Sequence, residues 1–100
     1  MPLHLYFRPS FKRSLKPLAQ KQKETIALIL EAIIVYYSSG CSLMKAQKVT
    51  PRFFYKQLRR PYYEAEVERN LRVIFYKENE KCITVLAGNH DQIKRFLAKV

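Results

Sequence analysis

Leu3, Leu5 and Phe7 alternate with His4 and Tyr6, a period of two that predicts a strand with one buried face. Pro9 and Ser10 stop it. Ser10 is placed as the N-cap of a short helix, because Phe11, Leu15 and Leu18 follow at spacings of four and three, an apolar helical stripe. Lys12, Arg13 and Lys16 lie off that stripe, and Pro17 ends or bends the helix. A longer helix is predicted over residues 21–38. Ile26, Ile29, Leu30, Ile33 and Tyr37 share one face of it, and Ala27, Ile34 and Val35 widen that face. So broad an apolar surface has to pack on a sheet and touch the first helix as well. Ser38-Ser39-Gly40 is the stop, with Gly40 able to take a left-handed conformation.

Residues 41–61 show no clear period. Phe53, Phe54, Tyr55 and Leu58 are apolar anchors that tie the stretch to the domain, and Pro51 and Pro61 bracket a short helical or extended piece. From Tyr62 the alternation returns. Tyr63, Ala65 and Val67 share one face, with Tyr62, Glu64, Glu66 and Glu68 on the other. Leu71, Val73 and Phe75 oppose Arg72, Ile74 and Tyr76. Ile83, Val85 and Ala87 oppose Cys82, Thr84 and Leu86. The connections, Arg69-Asn70 and 77–81, are too short for anything but antiparallel neighbours, so this is a meander. Gly88-Asn89 closes its last strand, and a short basic helix with Ile93, Phe96 and Leu97 ends the chain. If the first set of the first two strands packs on the helices, Glu64, Glu66 and Arg72 project together from the far side of the sheet. A guanidinium in a central strand costs desolvation free energy unless an anion uses it.

One hundred residues, 48% of them hydrophobic and only two of them Gly, make one packed domain. The formal net charge of +11 changes the picture more than any other bulk property. It points to a polyanionic partner: nucleic acid, an acidic protein or an anionic surface. Lys45, Lys48, Arg52, Lys56, Arg59 and Arg60 fall in one acid-free run with the aromatics of 53–55. That run reads either as a loop anchored by its rings or as an arm that tracks a phosphate backbone. Cys41 and Cys82 are far apart in sequence, and the chain opens without a basic n-region and long apolar core. The expectation is a cytoplasmic protein with two free thiols. The two Cys and two His give no zinc spacing. The apolar run 26–37 contains Glu31 and is shorter than the ~20 residues of a membrane span.

The order of these elements, beginning with a strand and "FRPSFKRSLKPL" and densest in "FFYKQLRRPYYEAEVERNLRVIFYKENEKCITVLAGNHDQIKRFL", resembles the RelE/ParE superfamily of toxins from bacterial toxin–antitoxin modules. The likeness extends over nearly the whole chain. It implies an α+β fold: two N-terminal helices packed on one face of a small twisted, mainly antiparallel sheet, a concave basic opposite face, and here a short C-terminal helix. It also implies two branches. One cuts mRNA in the ribosomal A site; the other inhibits DNA gyrase without nuclease chemistry.

The cleaving branch needs a group to take the proton of a ribose 2′-hydroxyl, positive charge on the phosphoryl oxygens and an acid for the departing 5′-oxygen. Side chains can fill all three roles, so no metal or other cofactor is expected. Arg72 matches the family's central-strand arginine, which holds the scissile phosphate in nuclease members. A guanidinium suits that role, being planar, permanently charged and able to bond two oxygens. An ion pair with Glu64 or Glu66 is the structural alternative, compatible with it in the resting protein. His90 matches the end-of-strand position of a His or Arg. Histidine as a residue type titrates near neutrality and can serve as the acid; the other reading is a cap on the last helix. Glu64 and Glu66 are the candidate bases, at positions near which some nuclease members carry a lysine pair. The family's late tyrosine is replaced by Lys94 or, counted differently, Phe96, a ring that can stack on a base but cannot donate a proton. Lys94, Arg95 and Phe96 join the 45–60 cations as candidate RNA contacts.

The reading favoured by the resemblance is therefore a ribosome-dependent, metal-independent mRNA endoribonuclease. An acidic, partly disordered antitoxin would hold it inactive in a hetero-oligomer, with no membrane partner. The alternatives are a gyrase inhibitor and a non-catalytic nucleic-acid-binding module with salt-steep affinity.

Overall fold

The computed structural model describes residues 3–68 and 71–100. Arg69 and Asn70, read above as a connection, and the side chain of Glu68, read on the face of Glu64 and Glu66, lie outside the described residues. The elements in chain order are β1 (His4–Phe7), α1 (Pro9–Leu15), α2 (Gln20–Ser38), α3 (Leu43–Val49), β2 (Phe54–Gln57), β3 (Tyr63–Glu68), β4 (Leu71–Glu78), β5 (Lys81–Gly88) and α4 (His90–Lys99). The strands form one sheet in the order β1-β5-β4-β3-β2. β1 joins β5 in parallel and every other pair is antiparallel, so the α+β reading and the meander stand.

α1 starts two residues earlier than its sequence suggests. Arg8, not Ser10, is the N-cap, and Pro9 opens the helix, where its missing N–H costs nothing. Ser10 instead donates from Oγ to the Val85 carbonyl at 2.6 Å, and Ser14 Oγ accepts from the Ala87 N–H at 2.9 Å. Leu18 lies beyond the helix but still packs on the core. The stop of α2 is as predicted, with Gly40 at φ 73°. Its buried residues are Ile26, Ile29, Ala32, Ile33 and Tyr36, while Ala27 is exposed. α3 is absent from the sequence reading for a physical reason. Only Ala46 of its seven residues is buried, so no apolar stripe announces it; Ser42 Oγ accepts from the Lys45 N–H and starts the helix.

The last strand departs from simple alternation. Ile74 pairs with Leu86 but Phe75 pairs with Thr84, so β5 holds one residue more than β4 at this point, a β-bulge. The surplus residue turns Val85 and Leu86 to the same side and sends Ala87, with Cys82, to the other. The predicted grouping of Ile83, Val85 and Ala87 is corrected accordingly. The two α1 serines grip this bulge, which is why the helix and the strand irregularity belong together.

Two apolar layers result. The larger lies between the sheet and α1, α2 and α3, around Phe11, Ile29, Ile33, Phe53, Val73 and Phe75. Tyr36 and Tyr55 hydroxyls meet across it at 2.6 Å. The smaller has three buried residues, Ile74, Val85 and Ile93, with Leu58, Tyr62, Tyr76, Leu86, Phe96 and Leu97 around them. It sits under α4. At roughly 1.5–3 kcal/mol per fully buried large side chain, this layer holds α4 far more weakly than the other holds α2. The far face is therefore not an open concavity: α4 lies across it.

Candidate functional site

The sheet register builds the charged cluster. Arg72 on β4 faces Glu66 on β3, and Glu64 on β3 faces Lys56 on β2. All four are on the far face with Ile74: Glu64 and Lys56 lie in its row, and Arg72 and Glu66 in the next. Arg72 Nη1 reaches Glu64 Oε2 at 3.0 Å and Nη2 reaches Glu66 Oε2 at 3.4 Å. Lys56 Nζ lies 3.5 Å from the same Glu64 oxygen. Exposure grades across the cluster: the Glu64 side chain is 2% exposed, Arg72 14%, Glu66 23% and Lys56 49%. Glu64 is thus a buried carboxylate held by two cations, and the guanidinium it orients is mostly buried without being sealed. Neither Arg72 nor His90 is sealed in the apolar interior.

α4 divides this face, and its course follows from its contacts. It leaves β5 at Gly88, the residue opposite Arg72. It packs Ile93 on Ile74 and Val85, then sets Phe96 edge-on to Tyr62 at 5.2 Å. Its end is met by Arg59, whose Nη1 donates to the Val100 carbonyl at 2.9 Å. The helix therefore crosses diagonally from the end of β5 to the loop before β3. The Lys56–Glu64–Arg72–Glu66 cluster occupies one corner. Tyr76, Ile83 and Leu86 occupy the other, where Arg8 Nη1 donates to the Tyr76 hydroxyl at 3.3 Å.

His90 is the first residue of α4 and is exposed. The capping role considered for it belongs to Asn89, whose Oδ1 accepts from the Gln92 N–H at 2.9 Å while its own N–H donates to Gln92 Oε1 at 2.8 Å. His90 lines a shallow depression of about 350 Å³ with Gln22, Asn89 and Asp91, between the starts of α2 and α4. It stands two residues past the strand partner of Arg72. By helical periodicity Lys94 falls on the same flank as His90, and Arg95 and Lys99 on the opposite one.

The cations of 45–60 do not form one strip. Lys45 and Lys48 sit on α3, which packs against α2 on the helical side. Arg52 and Arg60 are exposed in turns, Arg59 holds the C-terminal carbonyl, and Lys56 alone joins the Arg72 cluster. Phe96 is half-buried against Tyr62. What the sequence did not yield is the Lys56–Glu64 contact, which needs the register of β2, and the corner around Leu86, which needs the bulge. Cys41 is exposed and Cys82 buried, both as free thiols. Burial pushes the Cys82 thiol up to about 12, with Lys77 opposing the shift. Among the described residues, no three His, Cys, Asp or Glu side chains gather as metal ligands, and no helix is long and apolar enough to cross a membrane.

No protein-family model and no curated protein matches the sequence. Solved structures match over nearly the full length. A metal-bound toxin from Helicobacter pylori is 17% identical, with 91% of this chain and 98% of that chain covered and a TM-score of 0.65. A chain of the RelB–RelE antitoxin–toxin complex from Methanococcus jannaschii is 17% identical, covering 90% and 95%, TM-score 0.63. A chain of the DinJ–YafQ toxin–antitoxin complex from E. coli is 14% identical, covering 93% and 98%, TM-score 0.65. At such identities the likeness is one of fold.

Proposed function

From the RelE-type toxin fold as premise, we propose that this chain is the toxin of a toxin–antitoxin module and cuts mRNA on the ribosome without a metal. The observation that carries the reading is the Arg72 guanidinium, fixed on the far face by Glu64 at 3.0 Å and Glu66 at 3.4 Å beside a solvent-facing corner. A phosphodiester entering that corner meets a preorganised, permanently charged fork, which stabilises charge on the phosphoryl oxygens as it develops.

The two glutamates then separate in role. Glu64 is buried and engaged by two cations, so it is a positioning residue. Glu66, with a more exposed carboxylate, takes the proton of the 2′-hydroxyl. The 2′-oxygen attacks phosphorus, the bond to the 5′-oxygen breaks, and His90 in its protonated form supplies the proton to that oxygen. The products are a 2′,3′-cyclic phosphate and a 5′-hydroxyl, with Glu66 protonated and His90 neutral. His90 stands at the start of α4, two residues past Gly88, the strand partner of Arg72, and the reading requires a ribonucleotide to span the two so that its leaving oxygen reaches the imidazole.

The net charge of +11 fits both RNA and an acidic antitoxin. The antitoxin complexes among the structural relatives support such a partner in a hetero-oligomer. Primer extension on translated mRNA after expression tests the proposal. Arg72→Ala and His90→Ala are each expected to lower cleavage at least about 100-fold, the lower bound for losing one acid–base or charge-stabilising group. Full cleavage by the double variant would overturn it. Linearised plasmid with intact mRNA would point to gyrase instead.

A further inference from the structure

The corner of the far face on the other side of α4 from Arg72 contains a second cleft. It has a volume of about 350 Å³ and is lined by Leu86, Gln92, Arg95, Phe96 and Lys99, with no acid among them. Residues 92, 95, 96 and 99 stand at spacings of three, four and seven, so they form one flank of α4. The β5 bulge supplies the rest: without the surplus residue Leu86 would face the helical layer, and here it makes an apolar floor. Gln92 is fixed because its Oε1 accepts from the Asn89 N–H at 2.8 Å, which leaves its amide N–H groups as donors. Arg95 and Lys99 are both exposed, one turn apart. Arg8, tied to the Tyr76 hydroxyl, adds a third cation in the same corner.

We propose that this cleft binds one nucleotide of single-stranded RNA, its phosphate between Arg95 and Lys99 and its base on Leu86 and the accessible part of Phe96. The size lies within the ~300–1,000 Å³ of small-ligand sites. Paired cations over an apolar and aromatic floor, joined by an amide donor, match a phosphate attached to a planar, partly apolar, hydrogen-bonding group. An acidic peptide would satisfy the cations but leaves the concave floor and the fixed amide without a purpose. The inference rests on the reading of the chain as an RNA-directed toxin, and it adds a contact separated from the scissile step by the body of α4.

The test is binding of a fluorescein-labelled, fully 2′-O-methylated hexanucleotide to the full chain, followed by anisotropy over a range of salt concentrations. The probe has no free 2′-hydroxyl and cannot be cleaved, so the readout is independent of whether the chain is a nuclease. Arg95→Ala/Lys99→Ala is expected to weaken binding at least tenfold. It should also flatten the plot of log K against log salt by about 0.7, the contribution of one single-strand phosphate contact. Phe96→Leu should weaken binding about 5- to 150-fold with the slope unchanged, the range for losing one stacked base. Lys21→Ala/Lys23→Ala, exposed on α2, removes the same charge and is expected to do much less. Equal losses in both double variants would reduce the effect to net charge and overturn the proposal. So would a Glu-rich peptide losing affinity for the cleft variant while the oligonucleotide does not. Failure of the nuclease reading has a different signature: no cleaved mRNA in primer extension, with these affinities as predicted.

Discussion

Glu64 concentrates the stakes at the scale of single residues. Its carboxylate is almost fully removed from water and balanced by Arg72 and Lys56, so deleting it leaves a guanidinium facing a site built for a pair. Glu64→Ala is expected to destabilise the fold by about 3–5 kcal/mol, which for a domain of this size lowers Tm by more than about 10 °C in a thermal melt. Lys56→Ala should cost no more than about 1 kcal/mol, because that partner is half exposed and screened. A sharper separation of structure from chemistry comes from Glu64→Leu/Arg72→Met. Apolar replacement of a buried pair is often neutral, so the melt should return to near the wild-type value while mRNA cleavage stays abolished. Recovery of cleavage in that variant would remove Arg72 from the mechanism. Cys82 makes a second residue-scale prediction. Its folded thiol titrates at about 12 while the unfolded thiol titrates near its ordinary value of about 8.5. The unfolded chain therefore loses this proton first on raising pH. The stability tied to the neutral thiol is complete below the unfolded value and is lost between there and about 12. At neutral pH a thiol reagent such as DTNB should label Cys41 in the folded protein and Cys82 only on unfolding.

Among the elements, α1 and the β5 bulge act as one unit and α4 as its dependant. Ser14→Ala leaves the Ala87 N–H without its 2.9 Å acceptor and is expected to cost about 1–3 kcal/mol in urea unfolding. Because the bulge presents Val85 and Leu86 to α4, the same change should raise amide exchange in α4 more than in α2. Ile93→Ala removes a buried residue of the small layer and should cost about 2–5 kcal/mol if α4 unfolds with the rest. A much smaller loss, with α4 amides exchanging freely, would mean that the helix detaches on its own. These elements also mark what can be read from residues alone. The period of 3.6 in α2 and of 2 in β3 and β4 locates those elements and puts Glu64, Glu66 and Arg72 on one face from the residues alone. The bulge escaped because one extra residue inverts the alternation without altering composition. α3 escaped because a helix that buries only Ala46 carries no stripe. The path of α4 could not be read either: its apolar flank says that it packs, not that it packs on the side where Arg72 projects.

For the molecule as a whole, the cations are spread over both layers, and among the described residues the far face joins them to a carboxylate-oriented guanidinium. The charge of +11 predicts steep salt dependence for binding to any polyanion, measured by titrating sodium chloride into an RNA or antitoxin complex. It does not by itself select a substrate. On the proposed reading, selection comes from the two corners that α4 keeps apart. A ribonucleotide strand that occupies both must detour around a helix about 10–12 Å across, so a fragment of two or three nucleotides can serve one corner or the other, never the pair. Affinity plotted against oligonucleotide length should accordingly rise in a step, at the length where the strand first closes the detour, and that step should vanish when either corner is emptied of its cations.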